Sequence, residues 1–275
     1  RILELCRTAG IRHLHYVSTA YVCGLRSGRV LEDELDCGQE MGNDYERSKL
    51  ESEAMVRQAD GFDSVTIYRP AIIVGDSQTG HTTGYHGFFA VLKLAHTLVS
   101  RVKLGATSGA QLAALLGLCG NDSKHFVPVD WVSAVMTHIR RNPSMHGRTY
   151  HLTAERPTRI VDMAAVIQEA VERYSILANE NDPGRLDGEW FADAFRTQMN
   201  IYRAYWRDDP HFDQTNTREA APHLPCPHVD REMLMLMARM AIHSRFGRGA
   251  EPQRPSAPPK PCLPPRIAAK LPGAV

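Results

Sequence analysis

The chain has 275 residues, 43% of them hydrophobic and 23% charged, with a net charge of +1. That balance suits one good core, or a core with a small second lobe, and argues against nucleic acid or a charged membrane surface as the main partner. The six cysteines form no C-x-x-C and do not pair with histidines at metal spacing, so they read as reduced, mostly buried thiols of a cytoplasmic protein without a metal site. No run of about eighteen apolar residues suggests a membrane span, and no basic-then-apolar start resembles a signal peptide.

Ile2–Thr8 reads as the end of a helix, closed at Ala9–Gly10. His13–Val17 (HLHYV) alternates as a strand does and runs into the small residues Ser18, Thr19 and Ala20. Residues 26–42 form an acidic connection whose carboxylates, among them Glu32 and Glu34, are expected in solvent. A helix is predicted over 43–59, with Glu46, Arg47, Lys49, Glu51, Ser52 and Glu53 outward and Leu50, Ala54 and Met55 inward. Ser64–Arg69 (SVTIYR) reads as a second strand. Pro70 is expected to end its pairing, since it lacks a donor.

Residues 76–87 form a glycine-rich loop. Its His81 and His86 read as surface residues rather than catalysts. Residues 88–102 carry apolar side chains at helical spacing. Residues 108–118 suit either a short helix or the wall of a channel. A short strand over 126–129 leads to Asp130, a candidate N-cap for a helix over 131–140. A strand over 150–152 and a helix over 160–174 follow. Residues 189–206 and 229–246 read as helices of a C-terminal lobe. Residues 251–275 are proline-rich and read as a disordered tail, with a weak partner-docking signal.

The chemistry concentrates between His13 and Leu50. Tyr45 and Lys49 are four apart and share one helix face. A free phenol is a poor acid or base at neutral pH, and a nearby ammonium favours its ionised form. Such a phenol can exchange a proton with a carbonyl or alcohol oxygen. The Thr19 hydroxyl lies at the end of the preceding strand, where open α/β sheets place their ligands, and can hydrogen-bond the same oxygen. A surface helix with a chance tyrosine and lysine is the alternative, because Y-x-x-x-K alone is a weak signal.

The order VSTAYVCG, YERSKLESE, YRPAIIVGDSQTG and HFVPVDWVS resembles the extended short-chain dehydrogenase/reductases, nearest to their thioester reductase and fatty acyl-CoA reductase branch, over about residues 1–175. The resemblance implies an α/β, Rossmann-like, doubly wound parallel sheet with a mainly helical C-terminal lobe. The division it suggests is residues 1–175 for the dinucleotide-binding reductase domain, 176–250 for a helical substrate-side lobe and 251–275 for the tail. No glycine-rich phosphate turn precedes His13, so the sheet and the first half of the cofactor site are expected to be incomplete.

By resemblance, Thr19 is the catalytic hydroxyl and Tyr45 the acid/base. Lys49 tunes the phenol and, with Tyr45, holds the nicotinamide ribose. Pro70, Ala71, Ile72 and Ile73 pass under the nicotinamide. The implied activity is NADP(H)-dependent reduction of an acyl thioester, on CoA or a carrier protein, to aldehyde or alcohol, with NAD(H) left open and a place in lipid metabolism implied. Two alternatives stand beside it. One is a related dehydrogenase or epimerase acting on a sugar nucleotide or sterol-like alcohol. The other is a truncated product serving as an interaction module.

Overall fold

A computed structural model describes residues 1–101, 122–175 and 207–248, with side chains described except at 98–101 and 175. Strands alternate with helices along the chain, and the strand pairing is mostly parallel. Helix α1 (Ile2–Thr8) leads to β1 (His13–Val17), which pairs in parallel with β3 (Ser64–Pro70). The crossover between them carries a 3-10 turn (Ala20–Cys23), the short β2 (Arg29–Val30) and helix α2 (Asp44–Arg57). Asn43 caps α2, its Oδ1 accepting from Glu46 N at 2.9 Å, and Asp44 and Glu46 suit the positive end of the helix dipole.

β3 also pairs in parallel with β7 (Thr149–Leu152), giving the order β1–β3–β7. At Ala71 the chain changes partner. Ala71 N still donates to Leu152 O, but Ile72 N donates to His125 O. From there β4 (Ile72–Val74) runs beside β6 (Phe126–Pro128). Pro70 does not end the pairing, because it lies inside β3 opposite Leu152. Amides of a parallel strand alternate in direction. Tyr68 O faces β1, where it accepts from Ser18 N, and Ala71 N faces β7. The missing Pro70 donor therefore points beyond the last residue of β1, where no strand needs it.

Three apolar clusters hold these layers. The largest packs β4 and β6 against α3 (Phe88–Arg101), α5 (Ile160–Ser175) and α7 (Arg231–His243), with Phe88, Phe126, Ile167 and Met237 fully buried. A second sets Tyr68, Tyr150 and Leu152 against Val135 and Ile139 of α4 (Val129–Arg141). The third is small and lies near the carboxyl ends of the strands: Ala20, Cys23, Val30, Ala71 and Phe212. α7 thus shares one core with α3 and α5.

Residues 208–227 are more structured than their polarity suggests. They supply β9 (His211–Phe212), parallel to β2, and α6 (Thr215–Ala220). An antiparallel pair, β5 (Ser123–Lys124) with β8 (Thr158–Arg159), completes the strands among the described residues. Asp130 is not a cap. The N-cap of α4 is Pro128, and the Asp130 carboxylate accepts from Ser77 N (2.9 Å) and Ser77 Oγ (2.7 Å), anchoring the loop after β4. The segment 108–118, read as a short helix or a channel wall, the helix expected over 189–206 and the tail over 251–275 lie outside the described residues.

Candidate active site

β1 ends at Val17, and the chain continues through Ser18 and Thr19 into the 3-10 turn. Thr19 is extended, and its side chain caps that turn. Its Oγ1 accepts from Tyr21 N at 3.3 Å and donates to Pro70 O at 3.4 Å. Both contacts are at the long end of the hydrogen-bond range, so the hydroxyl can exchange its acceptor at low cost. Ser18 is also buried, and its hydroxyl faces Glu53 without reaching a well-formed hydrogen bond. The two neighbouring hydroxyls therefore serve different surroundings.

Tyr45 lies in the first turn of α2 and is 49% exposed. Among the described residues its phenol has no hydrogen-bond partner. Lys49, one turn on, reaches β1. Its Nζ donates to Val17 O at 2.9 Å and to Tyr16 OH at 3.4 Å, and it sits 4.9 Å from the Tyr16 ring centroid. Tyr16 was not foreseen from the sequence. The only clue was its place two residues before a small-residue strand end.

The four residues expected beneath a nicotinamide differ in what they offer. Pro70 and Ala71 are buried, with Ala71 in the small core cluster and the Pro70 carbonyl receiving Thr19. Ile72 packs on the main core, and Ile73 turns outward with 43% exposure.

The core-facing side of α2 is polar rather than apolar. Glu46 and Glu53, expected in solvent, are buried, and Met55, expected inside, is 60% exposed. Arg69 of β3 explains Glu53. Its Nη2 lies 2.7 Å and its Nε 3.1 Å from that carboxylate, and both side chains are fully buried. Arg57 adds donors at 2.8 and 2.9 Å. Burial alone would raise the Glu53 pKa, but the Arg69 hydrogen bonds and charge outweigh it and hold the carboxyl below the usual range.

Glu32 is another correction. It is buried within the connector and accepts from His151 N, Asn216 N and Thr217 Oγ1. Burial pushes its pKa up despite those donors. His151 is neutral in this setting. Burial and the Arg69 charge bring its pKa down to about 3. Its Nδ1 faces Asp213 O at 2.8 Å and its Nε2 faces Arg69 Nη1 at 3.4 Å. Nδ1 must therefore carry the proton, and Nε2 accepts from Arg69.

A hydroxyl, a phenol and an ammonium thus come from the turn after β1 and the first two turns of the helix beside it. Residues 1–136 match the NAD-binding family described as male sterility protein. That match supports the reductase branch of the extended short-chain dehydrogenase/reductases that the motif order resembles.

Among curated relatives, the chain is 28% identical over 172 residues to nonribosomal peptide synthetase asaC of Aspergillus flavus, covering 58% of this chain and 15% of that protein. It is 26% identical over a 275-residue alignment to aldehyde reductase lnaA of the same fungus, covering 86% and 24%. The chain therefore spans about a quarter or less of these relatives. Its fold matches the terminal R domain from the myxalamid PKS-NRPS biosynthetic pathway, with TM-score 0.64 and 23% identity, over 91% of this chain and 62% of that one. A thiolation-reductase di-domain from an archaeal non-ribosomal peptide synthetase matches with TM-score 0.56 and 17% identity, over 89% and 52%.

The donor set on α2 is of a kind that fits a nicotinamide ribose. Lys49 has three N–H donors, of which the two contacts to β1 use two, and Tyr45 presents an accessible phenol on the same helix face. Among the described residues no group of three His, Cys, Asp or Glu side chains is arranged to hold a metal, and no helix is long and apolar enough to cross a membrane. Of the four described cysteines, all free, Cys6 and Cys23 are buried.

Proposed function

We propose that this chain carries the catalytic face of a nicotinamide-dependent reductase of acyl thioesters, held on a carrier protein or on CoA, with aldehyde or alcohol as product. The observation that carries the reading is the Lys49 ammonium, on the helix that also carries Tyr45, lying 2.9 Å from the last carbonyl of β1, two residues before Thr19 in the β1 turn. The printed names of the relatives, a nonribosomal peptide synthetase and an aldehyde reductase, favour a carrier-bound thioester over free acyl-CoA. NADP(H) is the proposed cofactor, with NAD(H) the alternative. Tyr45 and Lys49 would hold its ribose, and Ile73 would pack against its ring.

Bound nicotinamide supplies a hydride. Thr19 releases Pro70 O and, with Tyr45, donates hydrogen bonds to the substrate carbonyl oxygen. As hydride adds to the carbonyl carbon, that oxygen gains the negative charge the two donors stabilise. Collapse of the tetrahedral adduct breaks the C–S bond and expels the thiolate, which takes a proton from solvent to become the thiol, leaving the aldehyde. In a second round Tyr45 gives its proton to the alkoxide and the product is the alcohol. Lys49 supplies positive charge on the same helix face.

The test uses the full chain with NADPH or NADH, and an acyl-CoA or acyl-phosphopantetheinyl carrier protein. Dinucleotide binding is followed by fluorescence, its oxidation by absorbance and thiol release by a chromogenic disulfide. Saturable binding with one thiol released per aldehyde formed is expected. Dinucleotide oxidation with aldehydes but no thiol release from any thioester would overturn the thioester reading. Absence of dinucleotide binding would overturn the cofactor assignment.

A further inference from the structure

Thr19 and Tyr45 lie on different elements, separated by the long connector of residues 24–43. Their spacing is therefore not set by local sequence. One short segment touches both. Arg207 Nη2 donates to Gly24 O at 2.8 Å and to Glu46 Oε1 at 3.0 Å. Gly24 closes the 3-10 turn that Thr19 opens, and Glu46 follows Tyr45 in the first turn of α2. The Glu46 carboxylate also accepts from Gly42 N at 3.0 Å. Gly42 is what lets the guanidinium in, since a Cβ there would lie 2.4 Å from Arg207 Nη1.

Two residues further on, Asp209 makes a second bridge. Its Oδ1 accepts from the fully buried Lys124 Nζ at 2.7 Å. Its Oδ2 accepts from Tyr21 OH at 2.8 Å and from His125 N at 2.9 Å. Tyr21 in turn donates its backbone N–H to Thr19 Oγ1. Asp209 thus reaches the hydroxyl through Tyr21, and Arg207 holds Glu46, the residue joined to Tyr45 in the first turn of α2.

We propose that Arg207 and Asp209 are positioning residues that set the gap between the Thr19 hydroxyl and the Tyr45 phenol. The proposal rests on the roles given to those two residues above. Charge-assisted bonds at buried sites are strong and directional enough to fix such a gap, and a misplacement of about 1 Å costs on the order of a hundredfold in rate. The segment adds no group to the chemistry. It holds the start of α2 and the end of the β1 turn in one register.

The test places 3-fluorotyrosine at position 45 of the full chain. 19F spectra and thioester kinetics are compared for the parent and for Arg207→Gln, Arg207→Lys, Asp209→Asn and Gly42→Ala. Arg159→Gln, which removes an exposed pair with Asp162, is the control. Arg207→Gln, Asp209→Asn and Gly42→Ala should each lower kcat by about 10- to 100-fold, with KM within about threefold. Arg207→Gln and Gly42→Ala should also shift or broaden the Tyr45 resonance. Arg207→Lys should recover part of both signals, because one ammonium can keep part of the bridge. An unchanged Tyr45 resonance with kcat within about twofold of the parent would overturn the proposal, as would an equal loss in Arg159→Gln. If the parent chain reduces no thioester, the functional reading fails separately, and the fluorine spectra still decide whether Arg207 governs Tyr45.

Discussion

Replacing Glu53 by glutamine tests the buried ion pair that joins α2 to β3. In the native chain Arg69 is enclosed, with donors at 2.7, 3.1 and 3.2 Å from the Glu53 carboxylate. Its remaining Nη1 contacts are two long ones, to Glu32 O and His151 Nε2, both at 3.4 Å. A glutamine keeps the shape and one acceptor oxygen but removes what is, among the described residues, the only carboxylate bonded to Arg69. Breaking a buried pair on one side costs about 3–5 kcal/mol, because a charge stays buried without its partner. The retained oxygen puts Glu53→Gln near the lower end, about 3 kcal/mol, a large share of the ~5–15 kcal/mol of a typical fold.

Urea unfolding followed by circular dichroism reads this directly. With an m-value of about 2–3 kcal/mol/M, the midpoint should fall by about 1–1.5 M. The double change Glu53→Gln with Arg69→Met should recover most of that loss, since it leaves no charge buried without its partner at the Arg69 site. A single variant within about 1 kcal/mol of the parent, or a double variant no better than the single one, would refute the reasoning. The pair also has a pH signature. The Glu53 carboxyl is held below the ordinary value of 4.5, so its stabilisation is present above that pH. It is lost as pH falls through the lower folded value, and Glu53→Gln should blunt this acid-side loss.

Tyr45→Phe should lower kcat by about 10²–10⁴, while dinucleotide binding weakens by no more than about tenfold because Lys49 still holds the ribose, checked by absorbance kinetics and fluorescence titration. Thr19→Val should cost about 10²–10³ in kcat by removing a donor to the developing oxyanion. It also removes the cap on the 3-10 turn, a loss of about 1 kcal/mol measurable by urea unfolding. His151, with its pKa lowered to about 3, binds a proton more readily unfolded than folded. Thermal midpoints should therefore decline as pH drops below the ordinary histidine value of 6.5. A His151→Gln variant should show a flatter decline, and an equally steep one would sink the assignment.

Much of the fold was legible because it follows from local spacing. The alternation of HLHYV and SVTIYR marks β1 and β3, and apolar spacing marks α3 and α5. Tyr45 and Lys49 could be paired because four residues make one helical turn. The errors share one cause. Glu32, Glu46 and Glu53 look like solvent residues because carboxylates seldom enter a core unpaired. What brings them inside is a partner from elsewhere, Asn216 and Thr217 for Glu32, Arg207 for Glu46 and Arg69 for Glu53. Pro70 and Asp130 misled for a related reason. Whether a proline breaks a ladder depends on which side its missing donor faces, and whether an aspartate caps depends on what lies opposite its carboxylate.

The sequence by itself determined which segments alternate as strands, which wind as helices, and that a phenol and an ammonium share the face of one of them. Backbone sterics and side-chain periodicity act within a few residues, so these features need no distant partner. Only the tertiary structure decided that Lys49 reaches the end of β1 instead of Tyr45. It alone brought Arg69 and Arg207 to the carboxylates that α2 buries, and tied residues 207–209 to both Gly24 and Tyr21. A buried charge is stable only beside its counter-charge, and which residues become neighbours is settled when the strands and helices pack.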